Sequence, residues 1–219
     1  MPRLLFEKTG NSVWISHLDL MRLFQRAFKR AGLPLTHSGG FTPRPQVSIA
    51  LPLSVGVESQ CELLDFDLDV QMPDLHEIRD CLNRALVPGV KVLNVYNDGR
   101  KIRDLALLEC QVALEYDNGI PADAQETIAA LFARESLILE KKGKNGTAQQ
   151  DIIPMIRKIA VTSQDSNTLV LQALICCQNP TLNPGQLIAA IEKELPAYRP
   201  DFAKIRRLEV FDSNETIFR

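Results

Sequence analysis

The sequence predicts an α+β protein made of two tandem ferredoxin-like units, each with the order β-α-β-β-α-β. Three observations carry that expectation. The same succession of strand-like and helix-like segments occurs twice along the 219 residues. A turn-rich, charged break at residues 97–101 separates the two runs. The length is about one and a half times a ~150-residue domain, which suits one large unit or two small ones. Hydrophobic residues at 45% and charged residues at 24% are ordinary globular values. No apolar stretch approaches the roughly 18 residues that a membrane span needs, and the N-terminus runs into an alternating segment instead of an apolar signal core. The expectation is a cytoplasmic protein with no membrane contact.

The first unit is assigned to residues 1–98. Residues 3–9 alternate as a strand, and after a turn at Gly10 and Asn11, Ser16 is placed to cap a helix running to about Ala31. Leu20, Met21, Phe24, Ala27, Phe28 and Ala31 recur at three- and four-residue spacing, forming one apolar stripe. Arg22, Arg26, Lys29 and Arg30 lie off it. Gly32 and Pro34 stop that helix. Residues 47–53 and 63–70 read as strands, the second alternating Leu64, Phe66, Leu68 and Val70 with Asp65, Asp67 and Asp69, which predicts one wet face. Residues 74–86 form a second amphipathic helix closed by Pro88 and Gly89, and residues 90–96 a fourth strand.

The second unit is assigned to residues 104–219. Residues 107–116 read as a strand, 122–134 as a helix with Pro121 at its first turn, and 137–141 as a strand. An insertion of irregular or partly helical chain is expected at about 143–167, before a strand at 169–176. Asn183 caps a helix over 184–195, and residues 205–211 close the set. The five cysteines, Cys61, Cys81, Cys110, Cys176 and Cys177, are odd in number and at no metal-binding spacing, so they read as reduced, mostly buried thiols.

The net charge of -2 conceals a polarity. Residues 1–50 carry seven basic groups against two acids, whereas residues 51–99 carry three basic groups against nine acids. A basic face suits anions or nucleic acid, although solvated charge is the commoner explanation. The residues with chemistry crowd into the first sixty positions. In the stretch 38–46, Gly39 and Gly40 permit positive φ and close approach to a ligand. Pro43 and Pro45 stiffen the chain beyond them, with Arg44 held between the two prolines as a bidentate donor to phosphate or carboxylate. The competing account is a plain turn leading into an edge strand. His17 opens the first helix, where the macrodipole favours a neutral imidazole able to serve as base, ligand or hydrogen-bond partner. A purely structural role beside Ser16 is equally open. Asp19 lies roughly 200° around the helix from His17, so the two should not meet. His37 and His76 have no motif around them and are assigned surface or satisfied-polar roles. No nucleophile elbow, phosphate loop, dinucleotide fingerprint or metal box is present. Arg22, Arg26 or Arg30 should share a face with Gly40 and Arg44, with His17 at its edge.

The runs FEKTGNSVWISHLDLMRLFQRAFKRAGLP (6–34) and SGGFTPRPQVSIALPLSVGVES (38–59) resemble the radical SAM-linked protein family, a domain found alone or fused behind a radical SAM module. Ser16, His17, Leu18, Asp19, Arg22, Arg26, Gly40, Phe41, Pro43, Pro45, Pro52, Gly56 and Glu58 match that family's motif. The chain departs from it at Gly39, where glutamine is more usual, at Arg44, where histidine is, and at Ile153, where arginine often stands. An arginine between the prolines cannot act as base or metal ligand, which favours anion binding at this loop. The resemblance implies a radical SAM protein as partner and, through typical gene neighbours, an RNA-related role. No CxxxCxxC occurs here, so no cofactor is expected in this chain, and the partner would carry the iron–sulfur cluster and S-adenosylmethionine.

The preferred expectation is an RNA-binding or substrate-presenting accessory to that enzyme, with no catalysis of its own. Arg22, Arg26, Arg30, Gly39, Gly40, Phe41 and Arg44 would meet the RNA. The tandem architecture also looks like that of CRISPR-type RNA-processing proteins, so one alternative is an RNA-processing or modifying enzyme with His17 as general acid–base. The other is a protein-docking module without RNA contact.

Overall fold

The alternation of Leu4 and Phe6 with more polar neighbours makes residues Arg3–Lys8 a strand (β1), and in the computed structural model, which describes residues 2–143 and 146–219, it lies inside a sheet. The order continues with α1 (His17–Arg30), β2 (Val47–Ile49), β3 (Glu58–Phe66), α2 (Leu75–Ala85) and β4 (Val90–Tyr96). β1 pairs antiparallel with both β3 and β4, and β2 pairs antiparallel with β3, so the strands run β4-β1-β3-β2. Contacts divide the chain into a unit of residues 1–102 with Arg219 and a unit of residues 103–218.

In the first unit the expected stripe of α1 is the face that packs on the sheet. Leu20, Phe24, Ala27 and Phe28 are buried, the Phe6 and Phe24 rings meet edge-on at 4.7 Å, and those of Phe28 and Phe66 lie 5.1 Å apart. Asp74 caps α2 by accepting from the His76 and Glu77 amides, and Asn83 ties that helix to β4 through paired bonds with the Val92 backbone. Two strands differ from expectation. β2 stops at Ile49 because Leu51 takes a φ of +46° just before Pro52. β3 begins at Glu58 instead of Leu63 and ends at Phe66. The expected wet face holds over 64–69, where Leu64, Phe66 and Leu68 are buried and Asp65, Asp67 and Asp69 are not, but it does not extend to the start of the strand, since Cys61, Glu62 and Leu63 are all buried.

The second unit contains β5 (Leu107–Glu115), α3 (Ala124–Phe132), β6 (Ile138–Gly143), β7 (Gly146–Asp151), β8 (Ile156–Ser163), β9 (Thr168–Cys176), α4 (Gly185–Glu194) and β10 (Phe202–Phe211). Its antiparallel order is β10-β5-β9-β8, and β6 and β7 pair only with each other. The expected insertion at 143–167 is therefore corrected. Residues 156–163 supply a sheet strand, while residues 137–141, expected in that role, belong to the separate hairpin. Lys144 and Asn145, within the expected insertion, lie outside the described residues. β8 escaped the sequence pattern because it pairs on one side only and buries little, with Ile156, Ile159 and Val161 scattered among charged and hydroxyl residues. Asn183 accepts from the Gly185 amide at 2.9 Å at the start of α4. The architecture is α+β. No helix among the described residues is long and apolar enough to cross a membrane.

Candidate nucleic-acid interface

The entry to α1 is built from below by Lys8. Its ammonium is buried and donates to the carbonyls of Val13 at 3.1 Å and Ile15 at 2.9 Å, at the end of the 3-10 turn Gly10–Trp14. Burial pushes the Lys8 ammonium below the ordinary lysine range, and Glu62 acts against that shift. Glu58 accepts from the Gly10 amide at 3.4 Å, and the Gly56 amide donates to the Val13 carbonyl. Gly56, at φ +85°, leaves room for the Trp14 ring, which a Cβ there would touch at 3.4 Å. Trp14, Leu18 and Val55 remain exposed at this end of the unit.

Ser16 caps α1: its Oγ accepts from the Asp19 amide at 3.2 Å and donates to the Asp19 carboxylate at 2.8 Å. Asp19 also accepts from Arg22 at 3.0 Å, so its oxygens serve Ser16 and Arg22, not His17. The Ser16 hydroxyl, and after it Arg22, holds the Asp19 carboxyl below the usual carboxylate range. His17 is half-buried, with its Nδ1 shielded from solvent and without a hydrogen-bond partner among the described residues.

The stretch after α1 makes a tongue with a closed base. His37 bridges Pro45, the Gln46 amide donates to Thr36 O, the Ser38 amide donates to Arg44 O at 2.8 Å, and the Arg44 amide donates to Ser38 Oγ at 3.0 Å. Gly39, Gly40, Phe41, Thr42, Pro43 and Arg44 project from it and are all exposed, Phe41 completely. Gly40 has a φ of +105°, a conformation that disfavours any side chain.

The basic residues of α1 divide between two hollows. Arg26 and Lys29 line a pocket of about 570 Å³ together with His37 and Pro45 at the tongue's base, over an apolar floor of Phe28, Leu33 and Leu35. Arg30 instead donates to the Ala85 carbonyl and lines a second hollow with Cys81, Arg84 and Val87. Arg22 stays with Asp19 in solvent. The structure thus brings Arg26 to the root of the tongue and turns Arg30 elsewhere. Lys8, Lys29 and His37 were missed in the sequence. A lysine at the inward-facing position after Leu4 and Phe6 was a visible signal; the pocket around Lys29 and His37 exists only once residues 32–37 fold back along the helix. Of the thiols, Cys61, Cys110, Cys176 and Cys177 are buried and Cys81 half-buried, and none is in a disulfide.

Residues 2–184 match the model of a family described as an uncharacterized protein conserved in bacteria (DUF2344), and the chain belongs to that family. No curated protein matches the sequence. Among solved structures, a chain of a Cbf5-Nop10-Gar1 complex is similar at 10% identity with a TM-score of 0.52, covering 95% of this chain and 48% of that one. A chain of an archaeal box H/ACA sRNP Nop10-Cbf5 complex is similar at 10% identity and a TM-score of 0.48, covering 94% and 46%. A chain of an H/ACA RNP bound to a substrate RNA containing 2'-deoxyuridine reaches 11% identity and a TM-score of 0.45, covering 94% and 46%. This chain spans about half the length of each of these three chains. At such identity the likeness is one of fold.

Proposed function

We propose that this protein is a cytoplasmic RNA-binding accessory whose first unit holds a single-stranded segment for a separate radical SAM enzyme. One observation carries the RNA part: Arg26, Lys29 and His37 line an apolar pocket at whose rim a tongue bearing Phe41 and Arg44 is rooted. Cations for phosphates beside apolar and aromatic faces for bases are the two components of a single-strand platform. The net charge of -2 makes such contact local. In this reading both units are ferredoxin-like, residues 1–98 and 104–219, and the first carries the interface. The partner part rests on the resemblance of residues 6–34 and 38–59 to radical SAM-linked proteins; the enzyme brings the iron–sulfur cluster and S-adenosylmethionine. Binding of single-stranded RNA oligomers over a salt series tests the first part, and the affinity should fall with log salt by about 0.7 units per phosphate contact. No binding at physiological salt overturns it. Affinity purification from cells tests the second: a radical SAM protein should co-purify, and its absence from RNA-containing eluates overturns the partnership.

A second reading has an observation of its own. His17 stands half-buried at the start of α1 with its Nδ1 turned from solvent, which leaves the opposite edge of the ring as the one a general acid–base in an RNA-processing or modifying enzyme would use.

A further inference from the structure

We infer that the pocket lined by Arg26 and Lys29 seats one nucleoside monophosphate unit of the bound RNA, an inference that rests on the RNA reading above. Its volume of about 570 Å³ falls among small-ligand sites, which run from about 300 to 1,000 Å³. Arg26 and Lys29 stand three residues apart on α1, so their side chains rise from one face with Cβ atoms about 5–6 Å apart and can share a single phosphate. Unlike Arg22, which is paired with Asp19, neither forms an ion pair among the described residues, and no carboxylate among them lines the pocket. The floor of Phe28, Leu33 and Leu35 is apolar and Pro45 closes one side, which suits the face of a base and not a second charge. His37 and Pro45 line the pocket and also close the base of the tongue, so the strand leaving the pocket passes directly to Phe41 and Arg44. A phosphate alone would leave the apolar floor unused.

Titration calorimetry of the full chain with AMP, UMP and inorganic phosphate, and separately with a short single-stranded RNA oligomer, tests the assignment. Gln25→Trp fills the pocket from the helix side without touching the core, and Arg26→Ala with Lys29→Ala removes its cations; thermal melts establish that both fold. The nucleoside monophosphates should bind at least tenfold tighter than inorganic phosphate, and both variants should weaken nucleotide and oligomer binding at least tenfold. Phe41→Ala should weaken the oligomer and leave the mononucleotides unchanged. Oligomer binding indifferent to Gln25→Trp overturns the pocket assignment while the RNA reading stands. Phosphate binding as tightly as nucleotide also overturns it. Nucleotide bound in the pocket without any oligomer binding upholds the seat as one for a free nucleotide and overturns the RNA reading instead.

Discussion

The buried Lys8 ammonium donates to the Ile15 carbonyl at 2.9 Å, which places a charge directly under the residue that precedes the Ser16 cap. A second bond to Val13 fixes the other carbonyl of the same turn. Trp14 is therefore held between two clamped carbonyls with its ring outward, and His17 begins its helix at a fixed angle. A lysine is suited to this role because its flexible stem spans the core while its head supplies up to three donors.

Lys8→Met keeps most of the apolar stem and removes the donors, so the Ile15 carbonyl loses its lysine and the Val13 carbonyl keeps only the Gly56 amide. Urea denaturation should show a loss of about 1–3 kcal/mol, the effect of leaving a buried polar group without its partner. The pH dependence has a definite sign. Burial lowers the Lys8 pKa, so between that value and the ordinary lysine pKa of ~10.4 the folded protein binds fewer protons than the unfolded chain. Stability from this site rises with pH across that alkaline window. The gap between wild type and Lys8→Met should widen there; a gap that narrows would show that the carbonyls and Glu62 outweigh the desolvation of the ammonium.

Ser16→Ala removes both halves of the cap on α1 and should lower stability by about 1 kcal/mol in a thermal melt. Asp19 is held below the usual carboxylate range by the Ser16 hydroxyl and then by Arg22. Its contribution is complete above the ordinary Asp pKa of ~3.9 and is lost as pH falls through the depressed value. Melts of wild type and Ser16→Ala should therefore converge in acid. Curves that stay parallel down to pH ~2 would show that the carboxylate takes no part.

Helix α1 was legible because its apolar spacing, cap and stop agree, and packing chose the face that the spacing named. The same holds for β1 and β4, whose burial their alternation announces, whereas β9 reads as a strand from its nearly continuous apolar run and is buried almost throughout. The second-unit insertion was misplaced for a physical reason: Leu137 and Leu139 alternate like a sheet strand but bury themselves under a hairpin, whereas the edge strand β8 needs few apolar residues. In the site, glycines and prolines signalled the tongue from residue type alone. The partition of the arginines was not legible, since Arg30 is captured by the Ala85 carbonyl across 55 positions of sequence. His37 was set aside for want of a motif, although its importance lies in the surface against which residues 32–37 fold.

Thiol reactivity should separate one cysteine from four. Burial pushes the Cys110 and Cys177 thiols up to about 12, and Cys61 and Cys176 are also buried. Cys81 is half-exposed on α2, with Arg84 donating toward its sulfur at 2.8 Å. Iodoacetamide on the native protein at pH 8, read by peptide mass spectrometry, should label Cys81 first. The other four should react only on unfolding. Fast labelling of Cys110 would contradict the packing of β5.

Binder and enzyme part at His17. If Arg26 and Arg44 contact phosphate, replacing both with alanine should weaken single-stranded RNA binding and flatten its salt dependence, each lost contact lowering the slope by about 0.7 units. His17→Ala should change binding little, because a half-buried ring at a helix N-terminus adds little phosphate contact where the helix dipole already presents its positive end. An enzyme using His17 behaves in the opposite way: binding survives while turnover falls roughly 10²–10⁴-fold, the usual worth of general acid–base catalysis. Purified protein that cleaves or modifies RNA without a partner, and loses that activity on His17→Ala, would replace the accessory reading with the catalytic one. If neither set of substitutions alters RNA binding at physiological salt and only protein co-purifies, both RNA readings fail. The exposed Trp14, Leu18 and Val55 then become the residues to mutate for a protein-docking surface, because they are the large apolar side chains that the Lys8 clamp leaves in solvent.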